Sequence, residues 1–429
     1  MIDNCNFNKI SLTDKLFVRT ATYPLRFRRN YVSNKIGKPF LMPSQITEVM
    51  PTPYKWITTD SQKMVDELSI SKGDLLLTRS GTVGKCAVAS EALEGCLLSD
   101  DLIRITVQEG YLGYLFTFLS SKIGQTLLAT STYGAVIKHL EPSHLEGIHI
   151  PIPGKKIINE LDVLVKAALI DIDQANRLIT TARSRLLSLL DLVNFETEYP
   201  INFIETFSAS KLTSDLRIDG SFHHPFLAKL MTSFLQNGIA TKTLADSALS
   251  TNIVLPGRFK RIYVESAHGI PLIGGKQIGN LDPRTDKFLA ALEHGERISS
   301  QLTIEANQVL VTCSGTIGKV AIAPDFWQGW AASQHILRIQ ATSPIIAGYI
   351  YAWLSTPFGK QLIQRFTYGA VVDEITNVQI GQVVIPWIDE VESTKIGKMV
   401  LEANALRSSA FNKFQTAKIL LESKVLISK

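Results

Sequence analysis

Cysteine is scarce, and the four present, Cys5, Cys86, Cys96 and Cys313, show no paired spacing. Neither a disulfide framework nor a zinc site is expected. No apolar run approaches the ~18 residues that cross a bilayer, and the early residues Asp3 and Asn4 do not form a basic start ahead of an apolar stretch. The chain therefore reads as soluble and cytoplasmic. Charged residues make up only 19% against 45% apolar ones, which excludes disorder as a description of the whole chain. The net charge of +5 permits a polyanionic partner without requiring one. Catalytic signatures are missing too. There is no glycine-rich cofactor loop after a strand, no Gly-x-Ser-x-Gly elbow, no His-Glu-x-x-His and no Asn/Asp-Pro-Pro-Tyr. No catalytic residue, bound cofactor or metal is expected in this chain.

What is present is a duplication. A block near residues 24–193 returns near 256–428 at an offset of 232–235 positions. Pro24, Arg26, Phe27, Arg28, Arg29, Tyr31 and Val32 are matched by Pro256, Arg258, Phe259, Lys260, Arg261, Tyr263 and Val264. The run Leu76–Lys85 returns as Leu310–Lys319, Ser99 and Arg104 as Ser333 and Arg338, Thr132–Val136 as Thr367–Val371, and Ile150–Pro151 as Ile385–Pro386. The period is far longer than a solenoid repeat of about 20–50 residues. Each copy is large enough to bury a core of its own.

Each copy reads as a mixed α/β globule followed by a long helix. Leu102–Val107 and Val309–Val311 are β-branched runs between turn-rich stretches, and a helix is expected near Tyr111–Leu128 and again near Ile346–Ile363. From Lys155 to Val193 there is no Gly or Pro, and Ile157, Leu161, Leu164, Ala168, Ile172, Ala175, Ile179, Ala182, Leu186, Leu189 and Val193 alternate steps of four and three. That is the rhythm of a seam between long helices. Its counterpart, near Val391–Leu426, places Ile396, Met399, Ala403, Leu406, Ala410, Phe414, Ala417 and Leu421 on one face. The expected fold class is mixed α+β, with target-binding globules at 1–153 and 195–388 and long helices at 154–194 and 389–429. A pseudo-twofold axis would pair the helices antiparallel as a coiled coil and hold two similar surfaces at a fixed distance. Such spacing suits a bipartite site on duplex DNA, whose groove repeats every ~34 Å.

The cluster Arg26, Arg28 and Arg29, echoed by Arg258, Lys260 and Arg261, sets cations around a Phe and a Tyr. Arginine forks bind phosphate or read guanine edges; the competing reading is a solvated basic strand. Ser80–Lys85 and Ser314–Lys319 resemble a phosphate loop superficially. Arg79 or Cys313 stands where that loop needs its first glycine, so a tight hairpin fits better, with Lys85 and Lys319 close enough to reach a phosphate. The Tyr133–Gly134–Ala135 and Tyr368–Gly369–Ala370 turns are identical, but Ile137–Lys138–His139 diverges to Val372–Asp373–Glu374. Both a fixed frame with variable readers and plain loop drift account for that. His139, His144 and His149 share no face and correspond to Glu374, Gln379 and Val384, which speaks against a metal. The neighbouring His223 and His224 read as surface or packing residues. Asp100 and Asp101 become Gln334 and His335, a poor catalytic pair.

The order of these elements resembles the specificity subunit of type I restriction-modification systems. The resemblance rests on Gly73–Gly84, the Ile150–Pro153 exit, the long helix, and Leu216–Phe222 with its Arg-x-Asp stretch, and it covers essentially the whole chain. Copy one has no clear Arg-x-Asp equivalent. The resemblance implies a non-catalytic subunit whose two domains each bind half of a bipartite DNA target. It implies helices that act as a spacer and dock two methyltransferase subunits, which carry S-adenosylmethionine, with restriction/translocase subunits joining for cleavage. On this reading Arg26, Arg28, Arg29, Arg79, Lys85, Lys138, Arg258, Lys260, Arg261 and Lys319 contact DNA. The alternative is a protein-binding scaffold with duplicated domains in a diverged defence system.

Overall fold

The structure is a computed structural model that describes residues 7–59, 61–134, 138–195, 217–284, 287–369 and 371–426. Cys5, Ala135, Val136, Ile137, Leu216 and Ala370 lie outside the described residues. The chain divides into two compact units, one made of Met1–Asn176 with Ser409–Lys429 and the other of Arg177–Ser408.

In the first unit an antiparallel sheet runs in the order Val18–Thr22, Leu102–Val107, Leu75–Thr78, Cys86–Val88. A second sheet runs Asn30–Val32, Trp56–Thr58, Lys38–Leu41, Leu97–Leu98, its last pair parallel. Lys9–Ser11 pairs with His149–Pro151. Such two-stranded ladders leave an outer edge on which a proline's missing N–H costs nothing.

The second unit repeats this arrangement strand for strand. Its first sheet runs Ser250–Val254, Ile336–Ala341, Val309–Thr312, Val320–Ile322, and its second Tyr263–Val264, Phe288–Ala290, Gly269–Ile273, Ala331–Ala332. Ala240–Thr243 pairs with Val384–Trp387. The duplication read in the sequence is thus a duplication of topology.

The single helix expected after each first sheet is two helices. Leu112–Ser120 is followed by Lys122–Thr130, because the Ser121 hydroxyl caps the second by accepting from the Gly124 N–H at 3.1 Å. In copy two Pro344–Leu354 and Pro357–Gln364 are divided by Thr356, which accepts from Gly359 N–H at 3.0 Å ahead of a proline in the first turn. The first long helix, Lys155–Leu189, stops short of Val193; Asp191 follows in the left-handed region at φ 53°. Leu189 and Val193, placed on the buried seam by their spacing, are accordingly 43% and 66% exposed. The second runs Glu390–Leu421 and ends in a π-helical turn, Glu422–Leu426.

Both long helices contribute to both units. In the first unit Leu161 and Val165 share a buried cluster with Ala417, Leu421 and Val425, and with Tyr114, Leu115 and Phe118 of the globule. The Lys413 ammonium pairs with Asp171. In the second unit Arg185 meets Glu392 at 2.5 Å, and Asn404 Nδ2 donates to Ala323 O at 2.9 Å. Some repeated residues are scaffold. Arg104 donates to Ser69 O at 2.6 Å and Glu67 O at 3.1 Å, and its counterpart Arg338 donates to Thr303 O.

Candidate nucleic-acid interface

In both copies the hairpin after the central strand of the first sheet is built alike. The Thr78 hydroxyl donates to Thr82 O at 2.5 Å and accepts from Lys85 N–H at 2.9 Å; the Thr312 hydroxyl does the same with Thr316 and Lys319. Gly81, Gly84, Gly315 and Gly318 all have positive φ, the backbone state for which glycine is suited. Against this hairpin lies the Tyr-Gly turn. Ser80 and Tyr133 both bridge His139, and Ser314 and Tyr368 both bridge Glu374. His139 and Glu374, which differ between the copies, therefore sit in the same place of the same frame.

The basic stretch belongs to irregular backbone rather than to a strand; regular structure begins at Asn30. Phe27 anchors it, its ring edge-on to Phe40 at 6.2 Å. Arg26 and Arg28 are exposed, whereas Arg29 turns inward to pair with Asp100 and lies 3.8 Å from Asp101. Asp101 also accepts from the Ser80 hydroxyl at 2.5 Å. Arg79 is held by three groups: it donates to Leu140 O at 3.3 Å, to Asp100 O at 3.1 Å and to the Glu141 carboxylate at 3.0 Å. Its guanidinium lies 4.1 Å over the Tyr23 ring. Glu141 accepts in addition from Tyr133 OH at 2.9 Å and Tyr23 OH at 3.2 Å. The Tyr133 hydroxyl, with Tyr23 and Arg79 behind it, holds the Glu141 carboxyl below its ordinary range. Lys85 is half-buried and Lys138 exposed.

Copy two distributes its charges differently. Arg258, 81% exposed, reaches Glu374 at 3.0 Å, and Lys260 is exposed. Arg261 lies over Phe259 at 5.9 Å with its Nε buried and without a hydrogen-bond partner among the described residues. Cys313 replaces Arg79; its thiol points to Gln334 O at 3.7 Å and burial pushes its pKa up to about 12, an inert group. Burial, with Arg261 nearby, lowers the pKa of His335. Lys319 is half-buried.

The Arg-x-Asp stretch has a local task. Arg217 donates to Phe366 O at 2.9 Å and Thr367 O at 2.8 Å, and is fixed by Asp219 at 2.7 Å. It thereby clamps the turn leading into Tyr368 and Gly369. Partial burial would raise the Asp219 carboxyl, but Arg217, the Ser221 hydroxyl and the Phe222 N–H outweigh it and hold it at about 2. His223 Nε2–H donates to Arg217 O at 2.7 Å, and the His224 side chain caps the helix Pro225–Gln236.

Sequence reasoning did not single out Tyr23 or Glu141, the residues that organise Arg79. Tyr23 directly precedes the basic stretch, but nothing local signals Glu141. His139 and His144 both pack on Tyr133, with ring centroids at 5.7 and 5.2 Å. Among the described residues no group of three or more His, Cys, Asp or Glu side chains is placed to hold a metal, and no helix is long and apolar enough to cross a membrane.

The model of the family described as "Type I restriction modification DNA specificity domain" matches residues 19–180. Among curated proteins nothing matches. Among solved structures the chain is similar to the type I restriction-modification system S subunit from M. genitalium, at 13% identity and a TM-score of 0.35 over 100% of this chain and 98% of that one. It is also similar to the HsdS subunit from Thermoanaerobacter tengcongensis, at 12% identity and a TM-score of 0.31 over 98% of this chain and 96% of that one.

Proposed function

We propose that the chain, whose residues 19–180 match the type I restriction modification DNA specificity domain, is a specificity subunit of such a system and reads a bipartite DNA target with its two globules. Each globule binds one half-site. Arg26, Arg28, Lys85 and Lys138 reach DNA from the first, and Arg258, Lys260, Arg261 and Lys319 from the second. Arg29 and Arg79 set the shape of the first surface through their carboxylate partners. The two long helices pair antiparallel, fix the spacing between half-sites and dock two methyltransferase subunits. Those subunits bring S-adenosylmethionine and perform the chemistry on a flipped base, and restriction/translocase subunits join for cleavage. The complex works in the cytoplasm.

The observation that carries this reading is the repeated frame with exchanged readers. The Ser80 and Ser314 hairpins and the Tyr133 and Tyr368 turns bridge alike, while His139 and Glu374 differ at the junction. A surface that kept its frame for packing alone would gain nothing from exposed cations at equivalent positions of the two copies, Arg26 and Arg28 in the first and Arg258 and Lys260 in the second. Arginine and lysine there supply the phosphate contacts that position a reader, and the exchanged side chains supply base contacts.

Methylome sequencing of a host with and without this gene tests the proposal. The expected result is a two-part motif, with a gap of fixed length, methylated only when the gene is present. Identical methylomes in an otherwise active system would overturn it.

A further inference from the structure

Arg29 and Arg261 occupy equivalent positions of the repeat and are the same residue, yet their surroundings differ in kind. Arg29 pairs with Asp100 and has Asp101 at 3.8 Å. At the positions of those carboxylates copy two carries Gln334 and His335. Arg261 has neither an ion pair nor a hydrogen bond among the described residues, and its Nε is buried without a partner. A buried guanidinium donor left unsatisfied costs free energy comparable to a lost charged hydrogen bond. Such a group is expected to be completed by an anion that offers two acceptor oxygens, as a carboxylate does, and a backbone phosphate offers two.

Resting on the DNA-reading function above, we propose that Arg261 binds a backbone phosphate of the second half-site and that Asp100 acts as the internal stand-in for that phosphate in the first. The two globules then hold DNA unequally. The second takes one more backbone contact at this position; the first has its equivalent cation already neutralised and gives it to the frame. Identity of sequence between the copies thus conceals a difference of role that only the partner residues reveal.

The test uses the full-length chain and a duplex of random sequence, so that only sequence-independent contacts are read, with fluorescence anisotropy over a series of KCl concentrations. The wild-type chain should bind with an affinity that falls steeply with salt. Arg261→Ala should weaken binding roughly tenfold and lower the log–log salt slope by about one unit, and Arg261→Lys should restore much of the slope by keeping the charge. The charge-neutral double variant Arg29→Gln with Asp100→Asn should leave the slope unchanged. Asp100→Asn alone, which removes the nearer carboxylate and leaves Arg29 only Asp101, should raise it by up to about one unit. Circular dichroism of each variant identifies any that fails to fold, and Arg261→Lys covers that case for Arg261. Equal losses from Arg261→Ala and the Arg29 double variant, or no change from Arg261→Ala in a folded protein, would overturn the assignment while leaving the DNA reading intact. A wild-type chain with no salt-dependent affinity for duplex DNA would remove the reading and this inference together.

Discussion

Gly113 lies against Asp162: its N–H donates to the Asp162 carboxylate at 3.0 Å, and a Cβ built on it would land on the backbone of Leu161 and Asp162. The globule thus meets the first long helix at backbone contact. In copy two the equivalent crossing is Gly348 on Gly397, where a Cβ on either would strike the other segment's backbone. Gly113→Ala forces these elements apart and should destabilise the first unit by roughly 2–3 kcal/mol, read as a lowered unfolding midpoint. A midpoint equal to wild type would show that the helices have room the structure does not give them.

Arg26→Ala combined with Arg28→Ala removes two exposed cations that form no ion pair among the described residues. Binding to the first half-site should weaken selectively, with the salt slope falling by roughly two units if both side chains meet phosphates. Competition between duplexes altered in one half or the other measures this. Unchanged discrimination and slope would remove both residues from the interface.

Glu141 fixes Arg79, and Thr376 stands at the equivalent position of copy two. Glu141→Gln takes away the charged partner while keeping the shape, so Arg79, still held by Leu140 O and Asp100 O, should keep its place less firmly. Sequencing the methylome of a host carrying this variant should show one half-motif relaxed and the other intact. Equal relaxation of both halves, or of neither, would contradict an orienting role.

The Asp219 carboxyl titrates at about 2 in the folded chain against ~3.9 unfolded. A depressed folded value means stability that is complete above about pH 4 and is lost as pH falls from there towards 2. Because the side chain is 41% exposed, solvent screening keeps the contribution under about 1 kcal/mol. The gap in unfolding free energy between wild type and Asp219→Asn should therefore be open at pH 7 and close on acidification, as followed by denaturant titration. A gap independent of pH would assign the effect to hydrogen bonding alone.

The repeat was legible because it is a relation between residues, and it carried the strand order of one copy over to the other. The long helices were legible from uninterrupted apolar spacing, although their ends were not. Asp191 in a left-handed conformation is a local event that periodicity does not register. The break in the shorter helix was written more plainly in copy two, where Pro357 follows Thr356, than in copy one, where a serine cap achieves it without a proline. The split among the basic residues was hidden for a different reason. Arg29 finds Asp100 across 71 positions and Arg79 finds Glu141 across 62, so only the folded sheets bring the neutralising groups near. Local sequence displays a cation; distant sequence decides whether it is spent.

The first unit draws on residues 409–429 as well as 1–176, and Ala417, Leu421 and Val425 lie in its core. On the ribosome, this unit waits for the whole of the other to be made before its own core can close. Leu161 and Val165 lack their partners Ala417, Leu421 and Val425 through the translation of more than two hundred further codons, a long-range closure of the kind that folds slowly. The order of the chain, more than the stability of either unit, sets when the first unit can close its core.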